Sequence, residues 1–562
     1  MVNIKLFIVC LLIMLPSQAA IENIDVRDVT IPVIIHRDYN PVMALNIQTK
    51  KRDKIRAVTV VLGKSVSRYK KISLHKANLD KEGALAVDRD GNPVDDQNPT
   101  SELGSITGDE IRKGKSVIKC EGDLDLGDNH LWLSVTLNES ANIEHFVRVG
   151  VAEVRTKNTR KYALKAFAKQ RIGYALTVPN FKALIQAPES TEIVQERTSK
   201  YARIPGLTRT RRGTLIAVFD NRYRHNGDLP ADIDCAVRRS TDGGQTWSPV
   251  ITCIAARDIS GIGHGVGDPT ILLDKRKNRI WVAGLAAPKT GHPIWKSEIG
   301  SASPDNCGQL ILAHSDDEGE TWSKPINITE SVKRLGDSDT KKWALLFQGP
   351  GNGICMRDGT LVFPAQIWGH QGKGSHWGVL VYSKDNGKTW TSSKAMEFGG
   401  SESQVAELSD GSLMLNCREG IRGLRQVGVT KDMGETWEKH GSVSTEEGRL
   451  TNTFCQACLI SVFNKKTRRS KGRLPYDFGE DKHKHLLFFS NPTKNRRRYM
   501  TLKYSKDDGN TWNKGLLYDQ RNGMGYSAIY PIDKEYLGVF YESQGHYLQF
   551  LKVKYTDILK AE

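Results

Sequence analysis

Short runs rich in valine, leucine and aromatic residues alternate with glycine, asparagine and aspartate along most of this 562-residue chain. The clearest runs are RAVTVVLG from Arg56, HLWLSVTL from His130, HFVRVGVAEVR from His145, TLIAVFD from Thr214, TLVFPAQ from Thr360 and HLLFFSNP from His485. Runs of this kind, separated by turn residues, are typical of β-strands. The pattern predicts a nearly all-β protein with few helices.

The length indicates two or more domains, because a single core rarely grows this large. The pattern of short strands loosens between Tyr162 and Glu196. We therefore expect a domain boundary near Glu189, with one domain over residues 20–188 and a second over residues 189–562.

The first residues have the composition of a secretory signal. Lys5 precedes the apolar run LFIVCLLIMLP, which is too short to span a bilayer, and small residues follow at Ser17, Ala19 and Ala20. We predict a cleaved signal peptide over residues 1–19 and a mature protein that is secreted, periplasmic or attached to the cell surface. No later segment approaches twenty apolar residues, so no integral membrane segment is expected.

One eight-residue pattern, S/T-x-D-x-G-x-T-W, occurs five times. The copies are STDGGQTW from Ser240, SDDEGETW from Ser315, SKDNGKTW from Ser383, TKDMGETW from Thr430 and SKDDGNTW from Ser505. The glycine permits a positive φ, the Asp and Ser/Thr side chains can satisfy turn amides, and the Trp can pin the turn to a sheet. The spacings of 75, 68, 47 and 75 residues leave room for a four-stranded sheet each, which predicts a β-propeller. Five equivalent turns fit such repetition better than five active sites.

Charge and cysteines add two expectations. The net charge of +17 favours polyanions or acidic substrates as partners. The basic segment from Phe463 to His485 lacks interleaved stacking aromatics, so we predict a solvated loop and no nucleic-acid binding. Cys455 and Cys458 form a CxxC in an apolar run without further ligands at metal-binding spacing, which predicts core cysteines and no metal site.

The five repeats are similar to Asp-boxes. Together with YARIPGL, from Tyr201 to Leu207, they make the chain from about Glu189 onwards resemble an exo-α-sialidase (neuraminidase) of the bacterial and animal Asp-box type. The resemblance implies a six-bladed β-propeller in which one blade has no recognisable box. The N-terminal region is similar to the β-sandwich, lectin-like, carbohydrate-binding domain that precedes the propeller in several secreted bacterial sialidases.

Sialic acid carries a carboxylate on its anomeric carbon, and guanidinium groups suit this carboxylate because they pair bidentately and stay protonated. The resemblance implies a clamp of three arginines. For these we assign Arg203 of the Arg-Ile-Pro motif, Arg418 and Arg497, with Arg496 and Arg498 as alternatives for the third.

The substrate carboxylate also disfavours an Asp or Glu nucleophile, so a neutral phenol activated by a base is better suited. Sialidases use a tyrosine nucleophile. Tyr526, in GMGYSAIY, matches the family nucleophile, and Glu402, in SESQVAEL, matches its partner base. Glu542, in GVFYE, resembles the carboxylate that orients the first clamp arginine.

The resemblance also implies an acid/base on the segment DNRYRHNGDLPADID. Asp228 takes that place, and Arg222 is then expected to contact the hydroxyl side of the sugar ring. Asp232 and Asp234 are competitors for which turn or strand-end roles are the simpler interpretation. Asp268 resembles a residue near the pocket for the N-acyl group, with a structural turn as the alternative.

These assignments predict a hydrolase that releases terminal α-linked sialic acids from glycoproteins, mucins, glycolipids such as gangliosides, or oligosaccharides. The implied mechanism is retaining, runs through a tyrosyl-enzyme intermediate and needs no cofactor or metal. A monomer is the default oligomeric state. Two alternatives remain, a trans-sialidase and a non-catalytic sialoglycan-binding propeller; the second is expected to have lost Asp228, Tyr526 or Glu402, all of which are present.

Overall fold

The structure, a computed structural model, describes residues 20–561 except for 29, 36, 38, 64, 77–101, 160, 176–198, 339–342, 370–375, 419–422, 464–484, 495–496, 524 and 544–547. The predicted signal peptide, the predicted boundary at Glu189 and nearly all of the basic segment lie outside the described residues. Nearly all regular structure is β, as predicted, and each of the six apolar runs overlaps a strand.

Strands β1 to β10 belong to the N-terminal domain. Their bounds are β1 Ile21–Asp28, β2 Val33–Ile35, β3 Asn40–Thr49, β4 Asp53–Leu62, β5 Tyr69–Lys76, β6 Glu102–Thr107, β7 Gly114–Leu124, β8 Gly127–Leu137, β9 Phe146–Thr156 and β10 Tyr162–Ala175. One sheet has the order β1-β3-β8-β5-β6 and the other contains β10-β9-β4-β7, with β2 beside β10. Both sheets contribute to one apolar cluster, which makes this domain the expected β-sandwich.

Strands β11 to β35 form the six blades of a propeller. The first three blades contain β11 Tyr201–Arg209, β12 Leu215–Arg222, β13 Ile233–Ser240 and β14 Ile251–Ile254; β15 Ile262–Asp274, β16 Arg279–Pro288, β17 Gln309–Ser315 and β18 Ile326–Asn327; and β19 Trp343–Gln348, β20 Gly351–Asn352, β21 Ile354–Cys355, β22 Leu361–Gly369, β23 His376–Ser383 and β24 Thr391–Ser392. β20 follows β19 in the chain but pairs in parallel with β15, so by its hydrogen bonds it joins the sheet of the second blade.

The last three blades contain β25 Ser403–Glu407, β26 Leu413–Cys417, β27 Gln426–Thr430 and β28 Glu438–Lys439; β29 Cys458–Phe463, β30 His485–Lys494, β31 Arg498–Ser505 and β32 Leu516–Asp519; and β33 Ser527–Pro531, β34 Tyr536–Glu542 and β35 Leu548–Lys554. The first strands of neighbouring blades contact one another around the propeller axis. Helices are short, with α1 at Thr329–Lys333, α2 at Tyr555–Leu559 and 3-10 turns at Gly108–Glu110, Ala256–Asp258, Ile294–Lys296 and Gly441–Ser444.

Each Asp-box forms the turn between the third and fourth strands of a blade. In the third copy, the Ser383 hydroxyl oxygen accepts the Gly387 amide at 2.8 Å, and Asp385 Oδ1 accepts the Thr389 amide at 2.9 Å. The same two bonds recur in the other four copies. Hydrogen bonds from Thr389 lower the pKa of Asp385 to about 2. The repeated aspartates therefore shape turns, as their repetition predicted.

The sixth blade is completed by the N-terminal domain. Its sheet order is β33-β34-β35-β10, and Gly173, Tyr174 and Ala175 of β10 pair antiparallel with residues 549–551 of β35. An Asp-box connects a third strand to the fourth strand that follows it in sequence. The fourth strand of this blade is β10, which precedes the other three strands in the chain. The blade therefore lacks the connection between third and fourth strands in which an Asp-box lies.

Polar contacts reinforce the junction between the two domains. The side chain of Gln245, from the first Asp-box, accepts the Ile143 amide and donates to the Ala141 carbonyl, both at 3.0 Å. Lys552 of the sixth blade forms an ion pair with Glu144 of the sandwich. The apolar cluster of the sandwich also continues into the first and sixth blades. The two domains therefore share one core.

We predict that a chain beginning at Ser199 is less stable than the whole protein and self-associates. Removal of the sandwich exposes the edge of β35, and an unpaired edge strand is a template for association. Melting temperature and light scattering measure both effects. The matched control is Glu144→Gln in the whole chain, which removes one ion pair at the domain junction and leaves β10 in place. A shortened chain that is monomeric and melts with the whole protein contradicts the prediction.

Candidate active site

The candidate residues from the sequence lie at one end of the propeller. At this end the first strand of each blade begins and the second strand ends. We call it the active-site end. Arg203 lies near the start of β11, Arg222 and Glu542 end β12 and β34, and Glu402 and Tyr526 directly precede β25 and β33. Because neighbouring strands of a blade are antiparallel, these positions share one end, whereas the Asp-boxes follow third strands at the opposite end.

Tyr526, Glu402 and Arg418 form a hydrogen-bonded trio at this end. The Tyr526 hydroxyl donates to Glu402 Oε1, and Arg418 Nη1 donates to Glu402 Oε2 at 2.8 Å and to the Tyr526 oxygen at 3.1 Å. Burial and the charge of Glu402 raise the pKa of Tyr526 well above its ordinary value, against the opposing charge of Arg418. Tyr526 is therefore a neutral phenol whose proton already lies on a hydrogen bond to a base.

Glu542 fixes both Arg203 and the backbone on either side of the site. Arg203 Nε donates to Glu542 Oε1 at 3.0 Å, and the same oxygen accepts the Ile204 amide at 2.9 Å. The other oxygen accepts the Tyr526 amide at 3.1 Å. Burial alone lowers the pKa of Arg203, but the charges of Glu542 and Asp228 more than offset this, so that the pKa lies above its ordinary value. The Arg203 guanidinium stays charged.

Arg497 supplies a further guanidinium next to Tyr526. It directly precedes β31, has a φ of 55° and lies with its guanidinium carbon 5.5 Å from the centre of the Tyr526 ring. The Arg203 guanidinium lies 5.5 Å from the same ring centre. Arg497 Nη2 donates to the Phe454 carbonyl oxygen at 2.6 Å.

Of the two alternatives to Arg497, the structure describes Arg498 and not Arg496. Arg498 is buried and its guanidinium lies 5.5 Å from the centre of the Tyr499 ring. Arg496 lies outside the described residues. Of the two described arginines, Arg497 is the one in contact with Tyr526.

Asp228 lies on the loop between β12 and β13, with its side chain 64% exposed. Its Oδ1 is 3.1 Å from Arg222 Nη1 and 3.3 Å from Arg203 Nη1. The carboxyl group is thus held beside two guanidinium groups, and its exposure lets it exchange a proton with a bound sugar or with water.

The competitors of Asp228 have other contacts. Asp234 is buried and accepts the Tyr223 hydroxyl at 3.0 Å and the Ala256 amide at 2.9 Å. Asp232 lies 3.3 Å from Arg224. These are the turn and strand-end roles that the sequence favoured for both residues.

Asp220 is a site residue that the sequence analysis missed. Its Oδ2 accepts Arg222 Nη2 at 2.8 Å and Nε at 3.2 Å, and its Oδ1 accepts the Asp268 amide at 2.9 Å. Asp220 and Arg222 are two residues apart on β12, so their side chains share one face of the strand. That spacing in FDNR was the available signal. Asp220 therefore links Arg222 to Asp268.

Asp268 is half-buried among acidic neighbours and adopts a left-handed backbone with a φ of 55°. Burial, followed by the charges of Asp220, Asp228 and Glu402, raises the pKa of Asp268 well above its ordinary value, although Arg222 opposes the shift. A carboxyl group that keeps its proton can donate a hydrogen bond to an acceptor. The left-handed backbone fits the turn that the sequence offered as an alternative, and the place of Asp268 near the pocket for the N-acyl group stays a prediction.

This geometry suits chemistry next to an anion. Arg203, Arg418 and Arg497 converge on the Tyr526 phenol, so a carboxylate bound by the guanidinium groups lies beside a nucleophilic oxygen. Glu402 can take the phenolic proton, and Asp228 is a second, separate proton carrier. The arrangement offers a hydroxyl group, a base within hydrogen-bond distance of it and a second carboxyl group, which are the kinds of group that a two-step substitution needs.

Comparison with known proteins agrees with this geometry. Residues 204–535 match the family model described as a BNR repeat-like domain, and residues 21–160 match the N-terminal domain of BNR-repeat neuraminidase. A sialidase of Bacteroides fragilis is 34% identical, with 98% of each chain covered. This chain belongs to the sialidase family. A sialidase of Clostridium perfringens is 31% identical over 64% of this chain and 89% of that one.

The solved structure of Hadza microbial sialidase Hz136 is similar to this sialidase over its whole length. The TM-score is 0.77 at 31% sequence identity, with 95% of this chain and 99% of that chain covered. Hz136 therefore shares the overall fold of this sialidase, and the chain is a glycoside hydrolase.

Three further features of this sialidase concern membrane-spanning helices, metal ligands and the two cysteines of the CxxC. No helix among the described residues is long and apolar enough to cross a membrane. In the same described part of the chain, no three His, Cys, Asp or Glu side chains are grouped to hold a metal ion. Cys455 and Cys458 are buried, as predicted, and burial raises the pKa of each thiol to about 12.

We predict that Asp268→Asn makes the sialidase more stable relative to wild type as the pH rises. The unfolded chain releases the Asp268 proton at about pH 4, whereas the folded chain holds this proton to a higher pH. Between those two pKa values unfolding releases a proton, so the Asp268 carboxyl lowers wild-type stability progressively as the pH rises from about 4 through the folded pKa. An amide removes this dependence.

Denaturant unfolding of both proteins between about pH 3 and pH 8 measures the difference. We expect near-equal stability at the acid end and a gap in favour of Asp268→Asn that widens above about pH 4. Asp385→Asn is the opposite control, because the pKa of Asp385 is lowered on folding and its stabilising effect is lost as the pH falls toward about 2. A gap for Asp268→Asn that does not change with pH contradicts the assigned shift.

Proposed function

We propose that this sialidase hydrolyses terminal α-linked sialic acids from glycoproteins, mucins, gangliosides or oligosaccharides, by a retaining mechanism with Tyr526 as nucleophile. The observation that carries the proposal is the hydrogen bond from the Tyr526 hydroxyl to Glu402, made within a group of three arginines. A neutral nucleophile beside guanidinium groups is the arrangement that a substrate with a carboxylate on the reacting carbon requires.

In the first step the Tyr526 proton passes to Glu402, and a bond forms between the Tyr526 oxygen and the anomeric carbon. The bond from that carbon to the leaving sugar breaks, and the leaving oxygen takes a proton from Asp228. The phenolic hydrogen bond that Glu402 accepts supports its proposed role as the base. Arg418 touches both partners and stabilises the negative charge that moves between them.

In the second step water attacks the tyrosyl intermediate. Water gives its proton to Asp228, its oxygen bonds to the anomeric carbon, and the Tyr526 oxygen leaves and recovers its proton from Glu402. Two inversions give net retention. Asp228 can serve in both steps because its exposed carboxyl group lies on a loop at the edge of the site.

The arginines bind the substrate and hold its orientation. Arg203 and Arg418 are each fixed by a carboxylate, Glu542 and Glu402, so little side-chain freedom is lost when they bind an anion. Arg497 completes the clamp from the turn before β31. Arg222 lies 3.1 Å from Asp228 Oδ1, and its proposed role is to contact the ring hydroxyls beside the acid/base.

We further propose export from the cytoplasm, with the mature sialidase secreted, periplasmic or on the cell surface. The support is the apolar run after Lys5 and the small residues up to Ala20. Export brings the enzyme to sialylated glycans, and the net charge of +17 favours such acidic substrates. Mass spectrometry of the exported protein checks the cleavage; a mature chain that still begins at Met1 contradicts it.

We predict that Tyr526→Phe lowers kcat at least about 1,000-fold on both sialyllactose and a methylumbelliferyl sialoside, because the nucleophile is lost. Asp228→Ala is expected to lose about 100- to 10,000-fold on sialyllactose and less than about tenfold on the methylumbelliferyl sialoside, whose leaving group needs little acid assistance. Fluorophore and sugar release measure the two rates.

Tyr530→Phe is the matched control for the nucleophile, since Tyr530 lies four residues further along β33, and we expect its rate within about twofold of wild type. An active Tyr526→Phe enzyme overturns the proposed nucleophile. Folded wild-type protein that releases no sialic acid from either substrate overturns the hydrolase and leaves glycan binding. Transfer of sialic acid to added lactose in place of water would show a trans-sialidase.

A further inference from the structure

Phe454 is an exposed aromatic residue in an otherwise buried segment. Its side chain is 53% exposed, whereas Cys455, Ala457 and Cys458, which follow it, are at most 1% exposed. The hydropathy of TFCQACLISV alone predicts a buried residue at this position. The fold therefore turns one large apolar ring outward, and an exposed apolar group of this kind at a binding site is a candidate ligand contact.

The backbone at Phe454 is left-handed, with a φ of 53°, which a bulky residue rarely adopts. Hydrogen bonds hold it there. Arg497 Nη2 donates to the Phe454 carbonyl at 2.6 Å, and Arg425 Nη1 donates to the Cys455 carbonyl at 3.1 Å. Arg425 is buried, and burial lowers its pKa to about 10. The buried Arg425 thus stabilises the turn at Phe454 by a hydrogen bond. Packing of the ring contributes little to this strained backbone, because the ring is largely exposed.

This turn adjoins the reacting groups. Arg497, which binds the Phe454 carbonyl, lies over the Tyr526 ring at 5.5 Å. Cys455 packs in one apolar cluster with Tyr526 and Ile204. The Phe454 backbone therefore adjoins Arg497 next to the reacting groups, and the ring that it carries is exposed.

We propose that the Phe454 ring contacts the aglycone, the sugar that is split from sialic acid, and so determines which sialosides are good substrates. The inference rests on the proposed function. In a sialoside the carboxylate and the leaving oxygen are attached to the same carbon, so a residue next to a clamp arginine also lies next to the leaving sugar. A phenyl ring has no hydrogen-bonding group and suits the C–H face of a pyranose, whereas charged side chains serve the polar groups of sialic acid.

The test compares two substrates that share the sialic acid and differ in the aglycone, sialyllactose and methyl α-sialoside. Phe454→Ala is expected to lower kcat/KM for sialyllactose about fivefold, mainly through KM, and to change the value for the methyl sialoside by less than about twofold. Binding of the 2,3-unsaturated glycal of sialic acid, which has no aglycone, is expected to change less than about twofold. Phe454→Trp should restore the preference for sialyllactose.

Two control variants separate the ring from the backbone. Phe454→Gly removes the ring, relieves the left-handed strain and keeps the carbonyl for Arg497, so it should match Phe454→Ala. Leu126→Ala removes another exposed apolar side chain, in the N-terminal domain, and should change nothing.

Equal losses of Phe454→Ala on both substrates, together with weaker glycal binding, overturn the aglycone contact and assign Phe454 to positioning Arg497. An unchanged ratio of the two substrates with unchanged rates also overturns it. The proposed function fails differently, since wild-type protein then cleaves neither substrate.

Discussion

The buried carboxylate of Glu542 closes the propeller and orients the active site in one set of contacts. Glu542 belongs to the sixth blade, while Arg203 and Ile204, which it binds, belong to the first. Its second oxygen accepts the amide of Tyr526. A buried carboxylate is costly unless it is paired and hydrogen-bonded, so the two blades meet favourably only when Arg203 and the Tyr526 amide both reach Glu542. Correct closure of the ring and correct geometry of the site are therefore coupled.

The site balances its charges at close range. The groups involved are the arginines Arg203, Arg222, Arg418 and Arg497 and the carboxyl groups of Asp220, Asp228, Asp268, Glu402 and Glu542. With the proton retained on Asp268, four positive charges face four negative ones. A substrate carboxylate adds one negative charge, and the four guanidinium groups lie close enough together to stabilise it.

Local and repeated features of this protein could be predicted from its own residues, whereas pairings between distant segments were predicted only where the family resemblance supplied them. The Asp-box is a local turn, so its residue types predict their structural roles. Tyr526 and Glu402 were assigned through the resemblance to the family. Asp220 was missed because its role depends on the amide of Asp268, which belongs to the next blade. Phe454 was missed because its hydropathy indicates burial and only the left-handed backbone turns it outward.

The strand that completes the sixth blade is another long-range feature that the sequence did not predict. The sequence predicted one blade without an Asp-box, and the loosened pattern after Tyr162 gave no hint that β10 fills the missing place. A propeller needs its last blade completed, because an open edge strand remains available for pairing with other chains. Here the strand comes from the domain that precedes the ring, so the sandwich acts as part of the propeller. Since Glu542 and Tyr526 lie in this blade, the N-terminal domain supports the active site from the outer edge of the sheet that carries it.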